Sequence, residues 1–267
     1  SASFTELKLS DENRFAATVK IADNIMDIKV TGDSFDARPV IRGLFGNQNR
    51  DEAAQAAEEA KANSGRTVRI SLDIDRVHAY MGEIITGVSG TLTAQSSRLT
   101  GAEINGTFLS GQPIVYRVTP VEGGREMRIN GRDGGAVIRA ANLYSKVAGG
   151  QIEFFALLTR DGSVRNGKLV LRNFEVRNEA ALAELDARCK PKSDAPRRDG
   201  PRRESLSFKK LTLPFTSDSR FICIGEALVR GPELGASAAG LIRKSDGAID
   251  IAGTITPAYA LNAALGD

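Results

Sequence analysis

Three neighbouring residues of this 267-residue chain, Asp73, Asp75 and His78, are of types and at spacings that could do acid–base or metal chemistry. Asp73 and Asp75 are two residues apart in "LDIDRV", so both would lie on one face of a strand, where paired carboxylates can act as acid and base. The alternative is that they form the solvated side of an amphipathic strand. His78 is the only histidine, which excludes a multi-histidine metal site and leaves one histidine for a catalytic triad.

Sequence motifs of common enzyme classes are missing. The chain contains no G-x-S-x-G nucleophile elbow, no Walker A loop and no G-x-G-x-x-G fingerprint. We therefore expect no enzymatic activity, no cofactor and no metal site.

Composition also weighs against a nucleic-acid partner. Aromatic residues make up 6% of the chain and tryptophan is absent, so a base-stacking platform is not expected. The net charge of +3 comes from the stretch 190–204, which is rich in lysine, arginine and proline. We interpret 189–205 as a disordered basic loop, because this composition cannot support a packed core. Docking of this loop on anionic lipid headgroups remains an alternative to a solvated linker.

Most of the chain consists of segments in which apolar and polar residues alternate, which predicts strands with one apolar and one wet face. The clearest segments are 15–21, 68–74, 152–158 and 169–176, followed by "LTLPF", "FICIGEALV", "LGASAAGLI" and "AIDIAGTI". Two of the connections, "TRDGS" and "RKSDG", carry hairpin signals, the latter with Gly247 for a positive φ. We therefore predict a mainly β fold in which successive strands form an antiparallel meander.

A few short helices are expected around this sheet. One is an alanine-rich surface helix near 50–63, and a second begins at the capping residue Asp133 with an apolar stripe of Val137, Ile138, Ala141 and Leu143. A third begins at Asn178. The last follows Pro257 and is expected to cap the end of the sheet. Cys189 and Cys223 are the only cysteines, and the sequence leaves open whether they pair.

Two stretches of the chain resemble a known family. The first is "GRDGGAVIRAANLYSKVAGGQIEFFALLTRDGSVRNGKLVLRNFEVRNEAALAEL", and the second is the closing "GPELGASAAGLIRKSDGAIDIAGTITPAYALNAALGD". Together they resemble the C-terminal domain of the bacterial AsmA-like family. The positions that match the family's ending are Gly240, Ile249, Asp250, Ile251, Gly253, Pro257, Tyr259, Leu261 and Asn262. The resemblance divides the chain into a β-rich repeat segment, 1–120, and an AsmA-like C-terminal domain, 121–267.

The resemblance implies a fold, a location and a function. AsmA-like proteins are envelope proteins, anchored in the inner membrane by a segment absent from this chain and projecting into the periplasm. Their elongated, curved antiparallel sheet forms a trough with an apolar floor, which is thought to convey phospholipid between the inner and outer membranes. The family has no known catalytic residues. A partner in outer-membrane protein assembly, bound at an exposed sheet edge, is the alternative to phospholipid.

The residues themselves are compatible with such a groove, because acyl chains need a continuous apolar surface without directed hydrogen bonds. The alternative is that the same faces pack on each other, as in a sandwich, or on the helices. The candidate groove residues are Val68, Ile70, Leu72, Ile74, Phe154, Ala156, Leu158, Leu169 and Leu171.

Overall fold

The computed structural model is a single curved, open β-sheet that carries two short α-helices, which confirms the predicted fold class and makes it one layer rather than a sandwich. It describes residues 2–10, 12–45, 65–96, 98–179, 205–232 and 234–257. In these ranges, fourteen strands follow one another across the sheet in chain order, and a short strand at Val147–Ala148 pairs beside this path with the strand Val164–Arg177. The sheet continues without a break across the predicted boundary between residues 120 and 121. Both residues lie in the strand Pro113–Val121, which is hydrogen-bonded to the next strand, Gly124–Gly131.

The strand bounds contain all the segments predicted from alternation. The strands are β1 (Ala2–Ser10), β2 (Asn13–Ala22), β3 (Ile25–Asp36), β4 (Thr67–His78), β5 (Ile84–Gln95), β6 (Arg98–Phe108), β7 (Pro113–Val121), β8 (Gly124–Gly131), β9 (Val147–Ala148), β10 (Gln151–Thr159), β11 (Val164–Arg177), β12 (Ser205–Ser217), β13 (Phe221–Arg230), β14 (Leu234–Arg243) and β15 (Ile249–Pro257).

Several tight turns contain residues with positive φ. Gly162 (φ 91°) and Gly247 (φ 69°) lie in the two hairpins predicted from the sequence. Asp23 and Asn24 both have positive φ between β2 and β3, as a two-residue hairpin loop of the primed type requires.

One pairing departs from the predicted antiparallel meander. β3 and β4 run parallel, with Ile28 opposite Ile70 and Val30 opposite Leu72. Parallel neighbours need a crossover of a dozen or more residues, usually with a helix. The chain between Asp36 and Thr67 is long enough for this, and the crossover begins with helix α1 (Arg38–Phe45).

Helix α1 was not expected from the sequence. Its first turn contains Pro39, and the carboxylate of Asp36 accepts a hydrogen bond from the Arg38 backbone N–H (3.0 Å) and another from Arg38 Nε (2.8 Å). This start signal is easily overlooked because the helix has only eight residues.

The second helix, α2 (Gly134–Ala140), confirms the prediction of a helix capped by Asp133, whose Oδ1 accepts from the Ala136 backbone N–H at 3.0 Å. The helix is shorter than its predicted stripe. Asn142 has φ 58° and ends it, so Leu143 lies beyond the helix and is 58% exposed.

Several predictions concern residues outside the described ranges. These are the helix near 50–63, most of the helix begun at Asn178, the basic loop 189–205, the helix after Pro257, and Cys189. Cys223 is exposed. Among the described helices, none is both long and apolar enough to cross a membrane.

Candidate binding groove

The strand register places all the candidate groove residues on one face of the sheet, which we call the inner face. Val68, Ile70, Leu72 and Ile74 alternate along β4 with regular pairing on both sides. Residues directly opposite each other on neighbouring strands point to the same side of a sheet, so the register can be followed from β4 to distant strands.

The residues opposite Ile70 form an apolar row, the Ile70 row, with one member from each strand of the path from β2 to β15. It contains no polar side chain. Its members are Val19, Ile28, Ile70, Leu92, Ala102, Val118, Met127, Ala156, Gly167, Phe215, Ile224, Gly240 and Ile251.

A second row, the Leu72 row, brings three of the candidate residues together. It runs from β2 to β12, where an irregularity in the pairing with β13 ends it. Its members are Ala17, Val30, Leu72, Gly90, Ile104, Tyr116, Ile129, Phe154, Leu169 and Leu213.

Leu171 lies opposite Ile152, one row beyond Leu169 on the inner face, and is covered by α2. A methyl group added to Gly134 at the start of α2 would lie 2.2 Å from Leu171 Cδ1. Leu171 is 1% exposed and packs with Val137 and Ile138 of α2 in the main hydrophobic core. Leu171 therefore belongs to a closed core, as in the packing alternative for these faces. Among the described residues, neither helix covers the rows further from α2 in the same way.

The other candidate residues differ in exposure. Ile74 and Ala156 are buried, whereas Val68, Leu72, Phe154 and Leu169 are half-buried. The Phe154 ring packs against Phe215 with ring centres 5.7 Å apart. Half-buried apolar side chains in a continuous row form a surface that a flexible apolar ligand can cover.

The N-terminal half of the inner face contains a groove of about 580 Å³, within the range of small-ligand pockets. Ile70, Leu72 and Ile74 line it from β4, and Val40 and Ile41 of α1 line its edge. Among its lining residues, Asn105 and Tyr116 are the ones whose side chains carry polar atoms.

Tyr116 stands out in this lining. Its hydroxyl oxygen is the one buried side-chain polar atom without a hydrogen-bond partner among the described residues. Burial raises the pKa of Tyr116 to about 12, and the positive charge of Arg125 opposes this shift. A buried hydroxyl without a partner costs free energy. A ligand atom that accepts a hydrogen bond from this hydroxyl would remove that cost.

The opposite face of the sheet, the outer face, carries charged side chains together with some apolar ones such as Phe155. Glu103, Arg117 and Arg128 lie opposite one another in a single row, and Arg117 donates to Glu103 at 2.5 Å. Asp73 lies on this face opposite Ser89, and both Asp73 and Asp75 are exposed. They occupy the solvated side of β4 rather than a cleft.

His78 ends β4 and lines a smaller cavity of about 290 Å³ together with Glu12, Arg38 and Glu83. Arg38 is paired with Glu12 and Asp36, and Arg139 donates to Glu83 at 2.7 Å. Glu12, Arg38 and Glu83 in this cavity are thus each held in an ion pair. No group of histidine, cysteine or carboxylate side chains able to hold a metal occurs in the described part of the chain.

Comparison with protein-family models, curated proteins and solved structures finds no match for this chain. The resemblance to the AsmA-like family therefore stays a prediction.

Sequence reasoning missed the central part of the face. Ile104, Tyr116 and Ile129 connect Leu72 with Phe154, yet none was singled out. The alternation "IVYRV" around Tyr116 and "EMRIN" around Ile129 is a usable signal, but each segment is short and interrupted by charged residues.

Proposed function

We propose that this chain is a non-enzymatic periplasmic segment of an inner-membrane-anchored AsmA-like protein. It binds phospholipid and conveys it between the inner and outer membranes along the apolar groove of its sheet. The observation that carries the proposal is the Ile70 row, which crosses the sheet from β2 to β15 without a polar side chain. A row of this kind lets acyl chains move from strand to strand without meeting a directed hydrogen bond.

The position of the helices supports an open groove. α2 covers the Ile152 and Leu171 end of the inner face, and α1 contributes Val40 and Ile41 to the edge of the groove. Neither helix is long enough to cover the Leu72 and Ile70 rows as well, because eight residues of α-helix extend about 12 Å. A sheet with one face left apolar and open needs an apolar occupant or an apolar partner.

Organic extraction of the purified protein followed by lipid mass spectrometry tests the proposal. We expect stoichiometric phospholipid from the wild type and none from Leu72→Asp combined with Phe154→Asp, because a carboxylate in the row repels acyl chains. The control is Ser71→Asp, which adds the same charge to the outer face of β4 and is expected to retain lipid. Absence of lipid from a folded wild type that also fails to take it up from vesicles contradicts the proposal.

A second candidate function is that of a scaffold for outer-membrane protein assembly. β15 is the last strand of the described sheet, and one of its edges is unpaired there. Ile249 on this strand is 68% exposed, and exposed edges accept a further strand from a partner. A photoreactive residue at Ile255 is then expected to cross-link to an outer-membrane assembly protein in cells, and Ala252→Pro to abolish the cross-link. Cross-links to lipid alone would exclude the scaffold function.

A further inference from the structure

A positively charged side chain, Arg125, lies on the inner face beside the Ile70 row. Arg125 lies two residues before Met127 on β8, and its neighbours across the sheet are Pro120 on β7 and Leu158 on β10. Because residues two apart on a strand share a face, Arg125 lies on the same face as Met127 and the Ile70 row.

Arg125 differs from three arginines of the outer face in forming no ion pair within the described part of the chain. Arg117, Arg128 and Arg172 each pair with a glutamate, at 2.5, 2.5 and 2.6 Å respectively. Within the described part of the chain, Arg125 forms no ion pair and no hydrogen bond from its side chain. It is half-buried, so its charge is partly removed from water without compensation from a protein anion.

The second observation is the Tyr116 hydroxyl, which is buried in the lining of the groove and has no acceptor. Tyr116 lies opposite Ile129, four residues along β8 from Arg125, so both residues are on the inner face and two rows apart. The positive charge of Arg125 also acts on the pKa of the phenol. The groove therefore offers a cation and a free hydroxyl donor on one face, beside an apolar floor.

The distance along β8 from Arg125 to the part of the inner face under α2 is long enough for an acyl chain. Gly131, six residues further along β8, lies under α2, where an added methyl group would be 2.9 Å from Val137 Cγ2. Six residues of strand extend about 20 Å, against the ~15 Å depth of the hydrocarbon in one bilayer leaflet. An acyl chain laid along the strand fits between α2 and Arg125.

We propose that Arg125 is the headgroup contact of the groove: it binds the phosphate of a phospholipid whose acyl chain lies on the inner face. Tyr116 donates its hydroxyl to an ester oxygen of the same lipid. This inference rests on the proposed function and adds selectivity to it. The groove takes phosphate-bearing lipids in preference to neutral lipids with the same chain.

Binding of two single-chain lipids with the same oleoyl chain tests the inference, with 1-oleoyl-lysophosphatidate as the anionic probe and 1-monooleoylglycerol as the neutral one. Affinities come from displacement of a fluorescent fatty acid below the micelle concentrations of both probes. We expect the wild type to bind the anionic probe about tenfold more tightly, since a charge-assisted hydrogen bond to phosphate is among the stronger ones. Glycerol 3-phosphate, which lacks the chain, is expected not to compete.

Arg125→Gln is expected to remove this preference and leave the affinity for monooleoylglycerol unchanged. Arg125→Lys, which keeps the charge, is expected to retain most of the preference. Lys168→Gln is the matched control, because it removes one positive charge from the exposed outer face opposite Phe155.

The outcomes separate this inference from the proposed function. A wild type that binds both probes equally, or an Arg125→Gln variant that keeps the preference, overturns the headgroup assignment while the apolar groove stands. Failure of both probes to bind a folded wild type contradicts the groove itself. A preference lost equally in Lys168→Gln means that net charge, rather than Arg125, attracts the anionic probe.

Discussion

Leu72 and Phe154 lie in the same cross-strand row of the inner face, joined through the facing residues of β5 to β8. The two residues belong to the two segments into which the resemblance divided the chain. Their alignment makes the apolar surface continuous across the sheet. A change at any link of this row is therefore expected to affect the whole surface.

Ile129 is the link adjacent to Phe154, and Ile129→Asp is expected to reduce fatty-acid binding as strongly as Leu72→Asp does. The physical reason is the cost of placing a carboxylate among acyl chains. Asn130→Asp adds the same charge at the next residue, which is exposed on the outer face, and is expected to have no effect. Fluorescent fatty-acid titration of folded variants measures this, and equal losses in both would contradict a one-sided surface.

Gly135 is predicted to be the least replaceable glycine of α2. An added methyl group would lie 2.7 Å from the Val147 carbonyl oxygen and 2.8 Å from Ala148 Cα, both backbone atoms. Gly135→Ala is expected to lower the free energy of unfolding in urea by about 1–3 kcal/mol through overpacking. Gly43→Ala in α1 meets nothing within 4 Å and is expected to be neutral or stabilising by up to about 1 kcal/mol.

Asp133 caps α2 and is itself held by Ser110, whose hydroxyl donates to Asp133 Oδ2 at 2.9 Å. Asp133→Ala is expected to cost about 1 kcal/mol of stability, the usual effect of removing an N-cap. Asp133→Ser keeps an acceptor for the Ala136 backbone N–H and is expected to restore most of it. Urea denaturation of the three proteins measures this, and identical midpoints would exclude a stabilising cap.

Tyr116→Phe is expected to stabilise the ligand-free protein by about 1 kcal/mol or more, because it removes a buried hydroxyl without a partner. The comparison is Tyr144→Phe, which removes a hydrogen bond from the Tyr144 hydroxyl to Glu179 Oε2 (2.5 Å) and is expected to be neutral or destabilising. Thermal unfolding at neutral pH measures both. A lower melting temperature for Tyr116→Phe would indicate that its hydroxyl is hydrogen-bonded in the free protein.

The same tyrosine predicts a pH dependence in alkali. The pKa of Tyr116 is raised to about 12 by burial, above the value of about 10 in an unfolded chain. The folded state therefore keeps a proton that the unfolded state releases, and stability falls as the pH rises from about 10 to 12. Tyr116→Phe is expected to make this fall shallower in urea titrations across that range. An unchanged slope would contradict the burial of the phenol.

Asp36 predicts a pH dependence in acid. Hydrogen bonds from Arg38 hold the pKa of Asp36 below its usual range. This pair therefore stabilises the fold above the pKa of an unfolded carboxyl, about 4, and the contribution is lost as the pH falls through the lower folded value. Asp36→Asn is expected to be less stable than the wild type at pH 7, with the difference shrinking toward pH 3. A constant difference would show that the effect is not ionic.

Local patterns in the sequence were sufficient to predict the strands, two hairpin turns and the α2 cap. Alternation with period two, as in 68–74, reports directly which side of a strand is apolar, because successive side chains point to opposite faces. Asp133 predicted the start of α2 for a similar reason, since a cap acts on the N–H groups two or three residues away. The end of α2 was predicted less well, because asparagine tolerates the positive φ that Asn142 adopts but does not require it.

The register between distant strands and the burial of inner-face residues by the helices, by contrast, depend on the tertiary structure. Alternation predicts that Leu72 and Phe154 each lie on an apolar face, but long-range pairing through β5 to β8 decides that it is the same face and the same row. The parallel pairing of β3 with β4 likewise depends on the crossover that α1 begins. Leu171 and Leu169 look alike in the sequence, yet α2 buries Leu171 and leaves Leu169 half-buried. The reason is physical: strand periodicity is a local property of the chain, whereas pairing and burial depend on contacts between distant segments.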